Sequence, residues 1–111
     1  MNIFYLHHSP YIAAKVQYNK HVVKMILESA QMLCTAHHVY GNEEQKLYVP
    51  YKKAHLNHPS TIWTRQCRAN YRWLYLHMLA LGYEYTKRYG KVHASIAVSY
   101  THLTLPTTLL V

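Results

Sequence analysis

Apolar positions recur with a helical period in the first half of the chain. The stripe consists of Val22, Ile26, Ala30 and Leu33. Their intervals of four, four and three residues place them on one face of a helix. Asn19 precedes the stripe as a candidate N-cap. We therefore predict an amphipathic helix from Lys20 to about His37.

A longer helical pattern occupies the second half. Pro59-Ser60 reads as a helix start, because proline suits the first turn and serine suits the cap. The helix is predicted from about Thr61 to Gly82, or on to Tyr89 if Gly82 only bends it, and Gly90 is the expected stop. Its buried side is predicted to comprise Trp63, Trp73, Leu74, Ala80 and Leu81.

The remaining segments are shorter or irregular. Ser9-Pro10 predicts the cap and first residue of a short helix that ends near Gln17. The apolar residues 2–6 favour a brief strand or an extended arm. Residues 41–58 show no sustained period and are predicted as a long loop that exposes three lysines. These loop lysines are Lys46, Lys52 and Lys53.

Together these elements predict a mostly α fold, with two long packed helices and a long central loop in one small domain. Half of the 111 residues are apolar or aromatic, which is typical of a folding chain. Cys34 and Cys67 lie far apart in apolar helical stretches, so we interpret both as core residues without a disulfide.

The last fourteen residues differ from the rest, because Val98–Val111 has neither a charge nor a helical period. Ten of them, VSYTHLTLPT, resemble one translated frame of a transposon-end adapter used in shotgun DNA sequencing. We therefore expect one helical domain over residues 1–97, truncated at its C-terminus, and a non-native, adapter-derived tail over 98–111. The alternative is a genuine Thr/Leu-rich terminal strand.

Charge narrows the choice of partners. Twelve lysine and arginine residues oppose four glutamates, giving a formal net charge of +8. Such a surface attracts polyanions, so we expect DNA or RNA as partner. The alternative is a charge that only aids solubility. No apolar run is long enough to cross a bilayer, and the first residues lack the layout of a secretory signal, so we expect a cytoplasmic protein with no membrane partner.

One helix face carries candidate catalytic groups. His21, Lys24, Glu28 and Gln31 follow at intervals of three, four and three. A carboxylate, an imidazole and an ammonium in one row can supply a general base with an orienting partner. The alternative is an ordinary surface pair between Lys24 and Glu28.

A second face carries candidate nucleic-acid contacts. Arg65, Arg68 and Arg72 recur at intervals of three and four, and on one helix they would form a stripe that meets successive phosphates. Tyr71 and Tyr75 beside them offer rings for stacking a base. The alternative is a solvated arginine face. Lys24, Lys52 and Lys53 are further candidate DNA contacts.

Other polar residues carry less specific patterns. Asn70, His77 and Glu84 share a heptad position, which predicts either a buried polar site or, in the interpretation we favour, half-exposed residues at the edge of the apolar face. The histidine pairs lack metal-site spacing, and no glycine-rich phosphate loop is present, so we predict neither a metal nor a cofactor; the alternative is a metal site assembled from distant histidines.

Two long segments, NKHVVKMILESAQMLCTAH and KAHLNHPSTIWTRQCRANYRWLYLHMLALGYEYTKRYGK, resemble a family of small tailed-phage proteins. That resemblance covers about two thirds of the chain. It implies a phage origin, and hence the cytoplasm of a host cell, but no particular activity.

The spacing of His21 and Glu28 also resembles that of phage pyrimidine-dimer DNA glycosylases of the endonuclease V type. The resemblance implies that Glu28 and His21 are catalytic and that an amine attacks the sugar of a damaged nucleotide. The chain departs from that family at Asn2, where the family has a small residue, and at Leu27 and Gln31, where it has arginines. We therefore expect a nucleic-acid-binding protein, with glycosylase activity as one possibility. The alternative is a non-enzymatic phage accessory protein that binds RNA or a host protein.

Overall fold

The computed structural model describes residues 3–40 and 51–97. Four helices account for most of these residues: α1 Pro10–Lys15, α2 Asn19–Tyr40, α3 Pro59–Gln66 and α4 Arg68–Tyr89. A further helical turn covers residues 94–97, and no strand occurs within the described ranges. The predicted mostly α fold is therefore confirmed. The predicted adapter-derived tail and the loop residues Glu43, Glu44 and Lys46 lie outside these ranges.

The predicted start signal of the first helix is confirmed. The Ser9 side chain accepts a hydrogen bond from the Ile12 amide, and Pro10 occupies the first position of α1. Because proline has no amide hydrogen, it fits a position where that hydrogen would have no helical acceptor. A short turn then leads into α2, in which Asn19 is the first helical residue rather than the predicted cap, and its side chain accepts from Arg88 instead.

Helices α2 and α4 run antiparallel and form the centre of the fold. Asn19, at the start of α2, meets Arg88 near the end of α4. His37, near the end of α2, meets Tyr71 in the first turn of α4. We call these the Arg88 end and the Tyr71 end of the helix pair. Helix α1 packs on α4, and α3 packs on both α2 and α4.

The core lies between these helices and confirms the predicted apolar stripe. Val22, Ile26, Ala30 and Leu33 are each fully buried. Across from them α4 contributes Leu74, Met78 and Leu81, which are also fully buried. Burying a side chain of this size stabilises the fold by about 1.5–3 kcal/mol, so this seam is the main source of stability.

The predicted single helix over the second half is wrong, because the chain breaks at Cys67. Cys67 has an extended backbone (φ −157°, ψ 165°) and separates α3 from α4. The Asn70 side chain donates to the Trp63 carbonyl at 2.8 Å, and so satisfies one acceptor that the break leaves open. Cys67 is consequently half-buried rather than a core residue, whereas Cys34 is buried as predicted.

The segment before α3 is anchored on α2 by a buried threonine. The Thr35 hydroxyl lies 3.1 Å from both the amide nitrogen and the carbonyl oxygen of Ala54. His38 Nε2 lies 2.9 Å from the Tyr51 carbonyl. These contacts hold residues 51–54 against the last turns of α2, so the exposed Lys52 and Lys53 lie at the Tyr71 end.

The N-terminal residues form the extended arm that was one of the two predicted alternatives. Phe4 stacks on His21 at a centroid distance of 4.3 Å, and Tyr5 stacks on Trp73 at 4.6 Å. The arm therefore bridges α2 and α4 through its side chains.

The described C-terminal segment packs back on the helix pair. Gly90 ends α4 in the left-handed conformation (φ 72°), as its place in the sequence predicts. Ile96 then covers Gly82 so closely that a Cβ there would lie 2.6 Å from the isoleucine Cγ1. Gly82 neither ends nor breaks α4. Among the helices of the described ranges, none has the length and apolar character needed to cross a membrane.

Candidate nucleic-acid interface

The exposed charges of the described residues all have the same sign. Nine exposed side chains are cationic: Lys15, Lys20, Lys24, Lys52, Lys53, Arg68, Arg72, Lys87 and Lys91. Neither glutamate of these ranges is classed as exposed, because Glu28 is half-buried and Glu84 is buried. The surface therefore presents positive charge without interspersed exposed carboxylates.

Four predicted nucleic-acid contacts lie at the Tyr71 end. Arg68 and Arg72 are exposed on one face of the first turns of α4. Lys52 and Lys53 are exposed on the segment that Thr35 anchors at this same end. Residues distant in the sequence therefore contribute to one cationic region.

The other two predicted contacts are placed differently. Arg65 lies on α3, so the predicted arginine stripe on one helix is wrong: the break at Cys67 changes the register. Arg65 is half-buried, and its Nη1 is buried with no hydrogen-bond partner among the described residues. Lys24 is exposed on α2, roughly 20 Å from the Tyr71 end at about 1.5 Å of rise per residue.

The predicted catalytic pair lies along α2. His21 is half-buried, with Phe4 stacked on its ring and Tyr18 against it edge-on. Glu28 is half-buried two turns further on, about 10 Å along the helix axis. The rise alone exceeds the length of a direct hydrogen bond, so any joint action of the two groups would require a substrate that spans both.

A groove opens beside the Tyr71 end. It has a volume of about 550 Å³, within the range of small-ligand sites. The residues that line it are Ile3, Tyr5, Pro59, Ser60, Trp63 and Asn70. The N-terminal arm forms one wall, and the starts of α3 and α4 form the others. An aromatic surface with an amide at its edge can hold a flat ligand.

The aromatic wall is held in place by Trp73. Its ring stacks on Tyr5 and also on His77, at 4.7 Å, and it meets Trp63 edge-on at 6.1 Å. The Trp73 Nε1 donates to the His8 carbonyl at 2.8 Å. Trp73 thus contacts three other rings, and it anchors the arm through both stacking and a hydrogen bond.

His77 beneath this wall is a buried structural histidine. Its Nδ1 lies 3.0 Å from the Pro10 carbonyl, and its Nε2 lies 3.1 Å from Nε2 of Gln17. These partners suit a neutral ring whose Nδ1–H donates to Pro10 and whose Nε2 accepts from the amide of Gln17. Burial lowers the pKa of His77, and the hydrogen bond to Pro10 opposes this only in part.

Arg88 joins neighbouring segments at the opposite end of the helix pair, the Arg88 end. Its Nη1 donates to the Gln17 carbonyl and the Asn19 side chain, at 3.0 and 2.9 Å. Its Nη2 donates to the Lys15 carbonyl and to the Glu84 carboxylate, at 3.1 and 3.0 Å. The predicted half-exposed positions of His77 and Glu84 are therefore wrong, because both are buried parts of the contact between α1 and α4.

Tyr71 is not available for stacking a base, contrary to the prediction. Only 2 % of its surface is exposed, and its hydroxyl lies 2.7 Å from His37 Nε2. Burial raises the pKa of Tyr71, so the hydroxyl stays protonated. Burial likewise raises the pKa of the neighbouring Cys34 to about 12, which leaves the thiol unreactive at neutral pH.

Within residues 3–40 and 51–97, no three histidine, cysteine or acidic side chains lie close enough to hold a metal ion together. Comparison with protein-family models, with curated proteins and with solved structures finds no match to this chain.

The groove was missed because its lining comes from three separate segments. One signal was present: Tyr5 and Trp63 are large aromatic residues near the ends of predicted elements, where they are often only partly covered. Their convergence depends on the break at Cys67 and on the docked arm, and neither follows from helical periodicity.

Proposed function

We propose that this protein binds nucleic acid, with the Tyr71 end as its contact surface. The observation that carries the proposal is the uniform sign of the exposed charges in the described residues. Arg68 and Arg72 extend from a rigid helix, and Lys52 and Lys53 extend from the segment anchored beside it. Phosphates along a nucleic-acid strand are the complementary partner for such spaced cations.

Salt dependence tests this proposal directly. Each phosphate that a lysine or arginine neutralises releases a counterion, so affinity falls linearly with salt on a logarithmic scale. We expect the double variant Arg68→Ala/Arg72→Ala to weaken binding to duplex and single-stranded DNA and to reduce the salt slope by about two. Fluorescence anisotropy over a salt series measures both quantities.

A matched variant controls for net charge. Lys87→Ala/Lys91→Ala removes the same charge near the Arg88 end, roughly 20 Å or more from Arg72 along α4. We expect this variant to retain most of the affinity and the original slope. Equal losses in the two variants would mean that only net charge matters, and no binding at low ionic strength would refute the proposed function.

Damaged-DNA glycosylase activity is the narrower form of this proposal. It is supported by the endonuclease V resemblance and by a half-buried carboxylate, Glu28, in a fold whose exposed charges are cationic. In this reaction an amine of the protein bonds to the sugar C1′ as the bond from C1′ to the base breaks, and the resulting imine is reducible. Glu28 would stabilise the positive charge that develops on the sugar.

Borohydride trapping on dimer-containing DNA tests the narrower form. A glycosylase of this type leaves a covalent adduct, and Glu28→Gln is expected to lose the adduct while still binding DNA. Binding without an adduct would favour the second candidate, a non-enzymatic phage accessory protein that binds RNA or a host protein. The tailed-phage resemblance makes the cytoplasm of a bacterial host the proposed location for either activity.

A further inference from the structure

We infer that the aromatic groove at the Tyr71 end holds an unpaired nucleobase, stacked on Tyr5, while neighbouring phosphates meet the exposed arginines. This inference rests on the proposed function, because it specifies which form of nucleic acid the same surface prefers.

Tyr5 has the properties of a stacking platform. It lines the groove, and 54 % of its surface remains exposed although its ring already stacks on Trp73 at 4.6 Å. The stack holds the ring in place before a ligand arrives, which lowers the entropic cost of binding. Stacking of one base on an aromatic side chain contributes about 1–3 kcal/mol and tolerates any base.

The groove also has a polar edge that suits a base. The hydrogen bond from Asn70 Nδ2 to the Trp63 carbonyl fixes the orientation of the amide on the groove wall. An oriented amide presents a donor and an acceptor side by side, which is the pattern that matches the edge of a nucleobase.

Charge complementarity identifies the occupant as part of a nucleic-acid strand. Arg68 and Arg72 are exposed in the first turns of α4, on the helix face opposite Asn70, and Arg72 directly precedes Trp73, on which Tyr5 stacks. Phosphates held by these arginines would keep the strand beside the start of α4, from which a base further along the strand can reach Tyr5. In a duplex both faces of each base are covered by neighbouring bases, so only an unpaired base can stack on Tyr5. The surface should therefore prefer single strands.

Three probes separate base stacking from phosphate binding: a single-stranded oligothymidylate, an abasic deoxyribose oligonucleotide of equal length, and a duplex. We expect wild-type protein to bind oligothymidylate more tightly than the abasic strand, and the oligothymidylate alone to quench tryptophan fluorescence. Tyr5→Ala is expected to weaken oligothymidylate binding by roughly 5- to 150-fold, the range that loss of one stacked base implies. Binding to the abasic strand should stay nearly unchanged.

Tyr11→Ala is the matched control, because Tyr11 is also 54 % exposed but lies on α1 and does not line the groove. We expect it to bind all three probes like wild type. Tyr5→Phe keeps the ring and should retain binding, and circular dichroism checks that the variants remain helical.

The outcomes separate the two proposals. Equal wild-type affinity for the oligothymidylate and the abasic strand, without quenching, would overturn the base site but leave nucleic-acid binding intact. The same conclusion would follow if Tyr5→Ala weakened all three probes alike or left oligothymidylate binding unchanged. If wild-type protein bound none of the probes at low ionic strength, both proposals would fail.

Discussion

The two ends of the α2–α4 pair use arginine in opposite ways. At the Arg88 end, one guanidinium donates to two carbonyls, an amide oxygen and a carboxylate, and so joins α1, α2 and α4. At the Tyr71 end, Arg68 and Arg72 extend into solvent beside an open groove. The first end is satisfied internally, whereas the second has cations available for an external partner.

Position in the fold, rather than residue type, decides whether an arginine is bonded internally or left exposed to solvent. Arg88 meets the C-terminal carbonyls of α1, where the helix dipole favours a cation. Arg68 is in the first turn of α4, where the helix dipole disfavours a cation and stabilises an anion. An arginine retained at an unfavourable helix end is a better candidate for binding than one at a favourable end.

The largest expected effect on stability comes from removing the guanidinium at the Arg88 end. Arg88→Ala leaves the Glu84 carboxylate, whose side chain is only 7 % exposed, without its cation. We expect a loss of about 3–5 kcal/mol in the free energy of unfolding, the usual result of breaking a buried ion pair from one side. Urea denaturation followed by circular dichroism measures it. A loss below about 1 kcal/mol would show that the Arg88 contacts do not hold this end together.

A smaller effect is expected where the lysine segment is anchored. Thr35→Val keeps the shape of the side chain but removes the hydroxyl that bonds both Ala54 backbone groups. We expect a loss of about 1–3 kcal/mol, since the part-buried Ala54 amide loses its acceptor and the hydroxyl proton shared by the Gln31 and Ala54 carbonyls is removed. DNA affinity should also fall if Lys52 and Lys53 take part in binding. Unchanged stability and affinity would exclude Thr35 as the anchor.

Acid should weaken the contact between α1 and α4. Because burial lowers the pKa of His77, the unfolded chain takes up this proton before the folded one does. The contribution of His77 is complete above its ordinary pKa of about 6.5 and is lost as the pH falls below it, by at most about 1.4 kcal/mol per pH unit.

Unfolding curves between pH 7.5 and 5.5 measure this slope, which should diminish in His77→Gln. His93 needs a separate control, because partial burial lowers its pKa in the same direction. His93→Gln should change the slope less, since its surroundings are more open to solvent. An equal slope in wild type and His77→Gln would contradict the assignment.

The smallest expected effect on stability is at the Tyr71 end. Arg72→Ala removes an exposed side chain, so the free energy of unfolding should change by no more than about 0.5 kcal/mol. DNA affinity should nevertheless decrease measurably. A large loss of stability would mean that Arg72 is as structural as Arg88, and the contrast between the two ends would disappear.

Local signals in the sequence predict much of this fold. Ser9-Pro10 starts α1, the stripe from Val22 to Leu33 is the buried face of α2, and Gly90 ends α4. Each depends on the conformational preferences of a few neighbouring residues. The exposure of Lys52 and Lys53 also follows from their loop position.

Contacts between distant segments account for what could not be predicted. No glycine or proline marks the break at Cys67, which is stabilised by a side-chain bond from Asn70 to Trp63. The burial of His77 depends on α1, since its partner is the Pro10 carbonyl, and Glu84 is linked to α1 through Arg88, which also bonds the Lys15 carbonyl. Periodicity places these two residues at the edge of the apolar face but does not show which neighbour covers that edge.

The reach of Arg88 along the chain also determines when its contacts can form during synthesis. Its partners Lys15, Gln17 and Asn19 precede it by 73, 71 and 69 positions. Closing so long a loop is slow, and proteins are made from the N-terminus. During translation, α1 can therefore bond to Arg88 only after nearly the whole described chain has left the ribosome. The last turn of α4 thus completes the contact that joins α1, α2 and α4.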